Sequence, residues 1–287
     1  MHYGFIGLGE QGGAMANMML RAGLPLTVWT RRQEASEPFK AGGARVAMSA
    51  ADLAANADLL SLCVTSDSDV REVVYNRGVL KAMRPNSVIA IHSTTLPSLS
   101  VEIAKDAAQR QVEILDAPVS GSARAALNKT LLVIVGGSAA ALEKARPAFE
   151  TYGDPILHIG ACGMAMQAKL LNNLIAAANK AVAIRALLAA SAAGLDPSLV
   201  RRLVLAGVGS STALAIVGKL QHPLRARHIG LLVAKDLQLA REALPYKELD
   251  PLFALAEEAI AWIKKWGEGK DQILIESQLA AESNAPN

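Results

Sequence analysis

Apolar positions in the first part of the chain come in short runs separated by helix-like stretches. Tyr3-Gly4-Phe5-Ile6 is a β run, residues 14–22 read as a helix stopped by Gly23, and Leu26-Thr27-Val28-Trp29 is a second strand. Further strands are predicted at 45–47, 59–64, 87–92, 112–115, 131–135 and 156–159. Helices are predicted between them at 50–56, 69–80 and 102–110, with Ser49 placed to cap the first of these. Alternating strands and helices predict an α/β domain with a mostly parallel, doubly wound sheet.

After Gly160 the pattern changes. Residues 164–193 contain neither Gly nor Pro and are rich in Ala, Leu, Met, Gln, Lys and Asn, which predicts one long helix. Such a helix spans roughly 45 Å and, being apolar almost all round, needs a neighbouring domain or subunit to cover it. Gly194-Leu195-Asp196-Pro197 reads as a helix stop followed by a new start. Helices are predicted at 197–206, 211–218, 229–243 and 251–266, with no strand among them. The expected organisation is a Rossmann-type domain over 1–160 and an all-helical domain over 161–287, the long helix itself forming the junction. Residues 277–287 are polar and aperiodic and are expected to fray.

Composition adjusts this picture only slightly. Hydrophobic residues make up 52% of the chain, enough for a large core. Lys169, Lys180 and Arg185 interrupt the long apolar stretch, which argues against a membrane span. Met1-His2-Tyr3 leads directly into a strand without the cationic start of a secretory signal, so the expected location is the cytoplasm. Cys63 and Cys162 form neither a metal-binding spacing nor a disulfide framework. A formal net charge of +3, scattered along the chain, does not argue for nucleic acid.

The chemistry is concentrated in a few places. Gly7-Leu8-Gly9-Glu10-Gln11-Gly12 is G-x-G-x-x-G between a strand and a helix, the order a dinucleotide-binding unit requires. Its first Gly permits the tight turn, the second lets backbone approach a pyrophosphate, and the third lets helix and strand pack closely. A tight βα turn without a ligand is the simpler alternative. The second strand ends in Thr30-Arg31-Arg32, with no carboxylate to bond a ribose 2′-hydroxyl. A guanidinium pairs with a 2′-phosphate, so NADP is expected over NAD. Val64, Thr65, Thr94 and Ser120 follow strand ends, where ligands of open α/β sheets bind. Lys169 and Asn173 lie four apart, on one helix face. On the helix alone, a snorkelling lysine beside a tolerated asparagine would explain them.

The ordered set Gly4-Phe5-Ile6-Gly7-Leu8-Gly9 with Gly12, Asp116-Ala117-Pro118-Val119-Ser120-Gly121, Lys169 to Asn173, and Lys235-Asp236-Leu237 resembles the β-hydroxyacid dehydrogenases. That family includes 3-hydroxyisobutyrate dehydrogenase, tartronate semialdehyde reductase and related semialdehyde or glyoxylate reductases. The resemblance covers residues 3–276. It implies an N-terminal Rossmann domain, a helical C-terminal domain like that of 6-phosphogluconate dehydrogenase, and homodimers or homotetramers formed through that domain. It also implies a catalytic Lys169, with substrate held by Asn173, Ser120, Gly121 and Ser122, and Lys235 near the nicotinamide. The chain departs from the family at Ser122 and Lys129, where Gly is usual. Val64-Thr65 stands for Leu-Pro, His92 for Asp, and Arg185 for Glu.

The resemblance implies hydride transfer between nicotinamide C4 and the carbon of a small aldehyde or β-hydroxy acid. Lys169 would give or take the oxygen's proton, burial easing its deprotonation. Ser120 and the backbone N–H groups of Gly121 and Ser122 would bind a substrate carboxylate. Imine reductases resemble this architecture but usually lack the lysine. A silent NADP-binding scaffold would tend to lose it as well.

Overall fold

A computed structural model describes residues 1–269. The expected fraying over 277–287 lies outside the described residues. The chain divides into two compact units, Met1–Lys169 and Leu170 onward.

The strands are β1 (Tyr3–Ile6), β2 (Leu26–Trp29), β3 (Arg45–Val46), β4 (Leu59–Leu62), β5 (Val88–Ile91), β6 (Glu113–Asp116), β7 (Val119–Ser120), β8 (Leu131–Gly136) and β9 (Gly153–Gly160). They form one sheet in the order β3-β2-β1-β4-β5-β6-β8-β7, with β9 on β8. All pairings are parallel except β6–β8 and β7–β8. The first unit's helices are α1 (Glu10–Arg21), α2 (Glu37–Ala41), α3 (Ala50–Asn56), α4 (Asp67–Arg71), α5 (Val79–Ala82), α6 (Pro97–Ala108), α7 (Ala123–Leu127) and α8 (Ala139–Phe149).

Strand alternation builds two cores, one on each face of the sheet. Phe5, Val28, Leu59, Val88, Leu115 and Val133 join Met15, Phe149 and Tyr152 on one side. Ile6, Leu60, Leu62, Ile89, Ile91 and Ile114 join Leu53, Val74, Ile103 and Met166 on the other.

The sequence pattern misplaces several boundaries. The first helix begins at Glu10 rather than at 14, because the last glycine of the loop already lies in its first turn. The helix expected over 69–80 is broken: Ser66 caps α4 at Asp67, a π-turn follows at Glu72–Asn76, and Gly78 turns left-handed at φ 70° before α5. α6 starts at Pro97 rather than at 102, proline being suited to the first helical position. The pattern did not predict β7, α7 or α8.

The described second unit is helical throughout: most of α9 (Met164–Ala192), then α10 (Pro197–Ala206), α11 (Thr212–Ile216), α12 (Pro223–Ala243) and α13 (Asp250–Gly267). Asp196 caps α10 by accepting the Ser198 N–H at 2.8 Å, after Gly194 closes α9 in a left-handed turn. The helix expected from 229 starts at Pro223, again with proline in its first turn. α9 is long and apolar enough by length and composition alone to cross a membrane, yet half of its apolar window is buried within the protein.

Candidate functional site

β1 delivers the chain into the glycine turn. Gly7 has φ +99°, and a Cβ there would lie 2.0 Å from the Cys63 carbonyl oxygen, so only glycine fits. A Cβ on Gly12 would lie 2.1 Å from the Gly7 oxygen, which fixes how closely α1 packs on the turn. At Gly9 a Cβ would meet nothing within 4 Å, so the turn faces open space where backbone can be approached. Gly9 is also the N-cap of α1 and supplies no side-chain bond to the first-turn N–H groups. The Gln11 amide nitrogen is buried with no hydrogen-bond partner. Open glycine, uncapped helix N-terminus and orphaned donor together fit the pyrophosphate of a dinucleotide. Leu8 is buried beneath the turn, and Glu10 is exposed.

Thr30, Arg31 and Arg32 follow β2, with both arginines exposed. Arg31 Nη1 pairs with Asp69 Oδ1 at 2.9 Å. Beyond β4 and β5, the Val64 N–H donates to Ser93 Oγ at 2.8 Å, and the Leu96 N–H donates to Asp67 at 3.0 Å. These bonds tie together the loops that carry Val64, Thr65 and Thr94.

Ser120 ends β7, Gly121 has φ +135°, and Ser122 starts α7 without using its hydroxyl as a cap. α7 packs on α1. Lys129 lies in the left-handed region at φ +58°, which accounts for the glycine expected there.

The buried Asp116, at the end of β6, pins the start of α9. Its carboxylate accepts the Gly163 N–H at 2.8 Å and the Met166 N–H at 2.9 Å. Burial raises its pKa, and these two backbone bonds oppose the rise. A Cβ on Gly136 would lie 2.4 Å from Asp116 Oδ1, so that glycine leaves room for the carboxylate. One turn beyond Met166, Lys169 is buried at 7% exposure. Sequence reasoning used Asp116 only as part of a motif and gave it no role.

His92 lies in the core rather than at a ligand surface. It stacks on Phe5 and meets Phe149 and Tyr152 edge-on. Nδ1 is 2.7 Å from the Ala117 carbonyl and so carries the proton, leaving Nε2 as acceptor for Ser61 Oγ and Tyr152 Oη, each at 3.3 Å. Burial drives its pKa down to about 4, against the Ala117 bond. Burial pushes the Cys63 and Cys162 thiols up to about 12, so neither is a thiolate at neutral pH.

In the second unit, Asn173 Nδ2 donates to Asp236 Oδ2 at 2.7 Å. Lys235 Nζ lies 3.3 Å from Asp236 Oδ1, an ion-pair contact without hydrogen-bond geometry. Asp236 therefore links Asn173 and Lys235, two of the predicted site residues; the sequence motif included Asp236 but gave it no role. Arg185 is committed to Glu258 through two bonds of 2.7 and 2.5 Å, which join α9 to α13.

Residues 2–160 match the family described as the NAD binding domain of 6-phosphogluconate dehydrogenase. Residues 163–275 match the family described as NAD-binding of NADP-dependent 3-hydroxyisobutyrate dehydrogenase. An uncharacterized oxidoreductase of Mycobacterium tuberculosis is 37% identical over 67% of this chain and 65% of its own length. The NAD-dependent L-serine dehydrogenase of Pseudomonas aeruginosa is 34% identical over 83% of this chain and 84% of that protein. The 3-hydroxyisobutyrate dehydrogenase of Mycobacterium tuberculosis, solved with L-serine, superposes with a TM-score of 0.79 at 26% identity, covering 99% of both chains. An imine reductase of Myxococcus stipitatus shares the fold at 20% identity and a TM-score of 0.61, over 96% of this chain and 98% of that one.

Proposed function

Because the chain belongs to the β-hydroxyacid dehydrogenase family of NAD(P)-binding oxidoreductases, we propose that it interconverts a small β-hydroxy acid and its semialdehyde, with NADP(H) preferred over NAD(H). The carrying observation is the burial of Lys169, an ionisable side chain one turn beyond an amide held by Asp116. A lysine in that position can move a proton on and off a reacting oxygen, the role general acid–base catalysis requires.

The nicotinamide, when bound, supplies the hydride acceptor or donor. The Gly7–Gly12 turn and the start of α1 hold the pyrophosphate through backbone N–H groups and the helix dipole. Arg31, supported by Thr30 and Arg32, meets the 2′-phosphate. Ser120, with the N–H groups of Gly121 and Ser122, holds a substrate carboxylate. Lys169 protonates the carbonyl oxygen during reduction and takes the hydroxyl proton during oxidation. Asp236 orients Asn173, which would hold Lys169 or the substrate oxygen, and the family resemblance assigns Lys235 to the nicotinamide end.

The helical unit is the proposed contact in a homodimer or homotetramer. Leu199 and Leu203 on α10, and Leu224 and Leu231 on α12, expose most of their side chains.

The reading is tested by following NADPH and NADH absorbance with 3-hydroxyisobutyrate, L-serine, small semialdehydes, glyoxylate and cyclic imines. Turnover of a hydroxy acid or semialdehyde, faster with the phosphorylated cofactor, is the expected result. Turnover of imines alone would move the chain to the imine reductase reading.

A further inference from the structure

The Arg31–Asp69 pair joins two loops that leave the sheet on either side of the glycine turn. β2 and β4 are the parallel neighbours of β1. Arg31 follows β2, and Asp69 lies in α4 after β4. Their contact therefore links the loops flanking the turn that follows β1. The carboxylate is anchored. Ser66 Oγ donates to Asp69 Oδ2 at 2.8 Å and accepts the Asp69 N–H at 3.2 Å, while Oδ1 faces Arg31 Nη1 at 2.9 Å. The arginine side chain is 58% exposed and the aspartate 20%, so the arginine is the freer partner.

We propose that Asp69 is a specificity-determining residue that holds the Arg31 guanidinium and thereby weakens the preference for NADP(H) over NAD(H). This rests on the reading of Arg31 as the partner of the 2′-phosphate. A guanidinium binds a phosphate best through two parallel N–H groups. With Nη1 facing Asp69, the guanidinium keeps only its Nε–Nη2 edge for a two-point contact and must turn that edge to the phosphate while held by the carboxylate. The carboxylate also repels the phosphate, and Ser66 prevents it from turning aside. A cofactor without the 2′-phosphate makes no demand on Arg31 and does not compete with Asp69. Specificity is a difference between two affinities, and Asp69 acts on only one of them.

The test measures dissociation constants of NADPH and NADH by fluorescence titration of the full chain. The proteins are the parent, Asp69→Asn, Arg31→Ala and the double variant. Asparagine keeps an acceptor for Ser66, and circular dichroism checks that the fold is retained. Asp69→Asn is expected to tighten NADPH by roughly three- to fivefold, the size of an exposed ion pair, with NADH changing by less than about twofold. The gain should disappear in the Arg31→Ala background, since the effect runs through that guanidinium. Unchanged or weaker NADPH binding by Asp69→Asn overturns the proposal, as does an equal gain without Arg31. If Arg31→Ala leaves the NADPH-to-NADH ratio unaltered, the cofactor reading falls and the proposal with it. If that ratio narrows but Asp69→Asn has no effect, only the role of Asp69 falls.

Discussion

The carboxylate of Asp116 accepts the backbone N–H of Met166 at 2.9 Å, fifty residues further along the chain. This bond fixes the start of α9 to the end of β6, so the turn that leads to Lys169 is set by the sheet. Asp116→Ala would leave two buried N–H groups, those of Gly163 and Met166, without an acceptor. Each such loss costs about 1–3 kcal/mol, so destabilisation by about 2–6 kcal/mol is expected in urea unfolding. Asp116→Asn keeps one acceptor oxygen and should cost less. Equal stability of parent and alanine variant would show that the pin is not needed.

Lys169→Ala should lower kcat by at least roughly a hundredfold, the scale of a lost general acid–base group. The helix should persist, alanine being its best former. NADPH binding should hold, since the glycine turn and Arg31 are the groups proposed to carry it. Steady-state kinetics, fluorescence titration and circular dichroism separate these effects. A folded variant that binds NADPH and keeps most of its kcat would place the proton transfer elsewhere, with Lys235 the next candidate.

Asp236→Ala removes the acceptor that orients the Asn173 amide at 2.7 Å. Hydrogen bonds to charged groups contribute about 1.5–3 kcal/mol, so kcat/KM should drop about ten- to a hundredfold. Asn173→Ala should cost a similar factor, and the double variant little more, because the two act as a unit. Additive losses would mean that the bond is incidental to activity.

His92 gives the fold a pH dependence. The unfolded chain protonates it near 6.5, whereas the folded chain resists protonation until about pH 4. The folded pKa is the depressed one, so its contribution to stability is intact above pH 6.5, falls as pH drops toward 4, and levels off below. The total is on the order of 3 kcal/mol. In urea unfolding across that range, His92→Asn should show a shallower loss of stability than the parent. Parallel curves would mean that another group titrates there.

Sequence alone determined what depends on neighbours in the chain. The turn from Gly7 to Gly12 was legible because its constraints are local: a left-handed residue, an open approach and a close helix. The alternation that fills both faces of the sheet was also legible, since strand period two assigns each apolar residue a side. Arg31 could be singled out because no carboxylate stood beside it. Tertiary structure decided the rest. It found Asp69 for Arg31, Met166 for Asp116 and Asp236 for Asn173 across 38, 50 and 63 positions of chain. It also moved His92 from a family position into an aromatic core. The helix interrupted at Gly78 and the overlooked α7 and α8 belong to the same class. Helical propensity is weak over so few residues, and packing on the sheet stabilises such pieces. A side chain's chemistry is written in its own residue, but its charge state, orientation and availability come from partners that only the folded chain brings within reach.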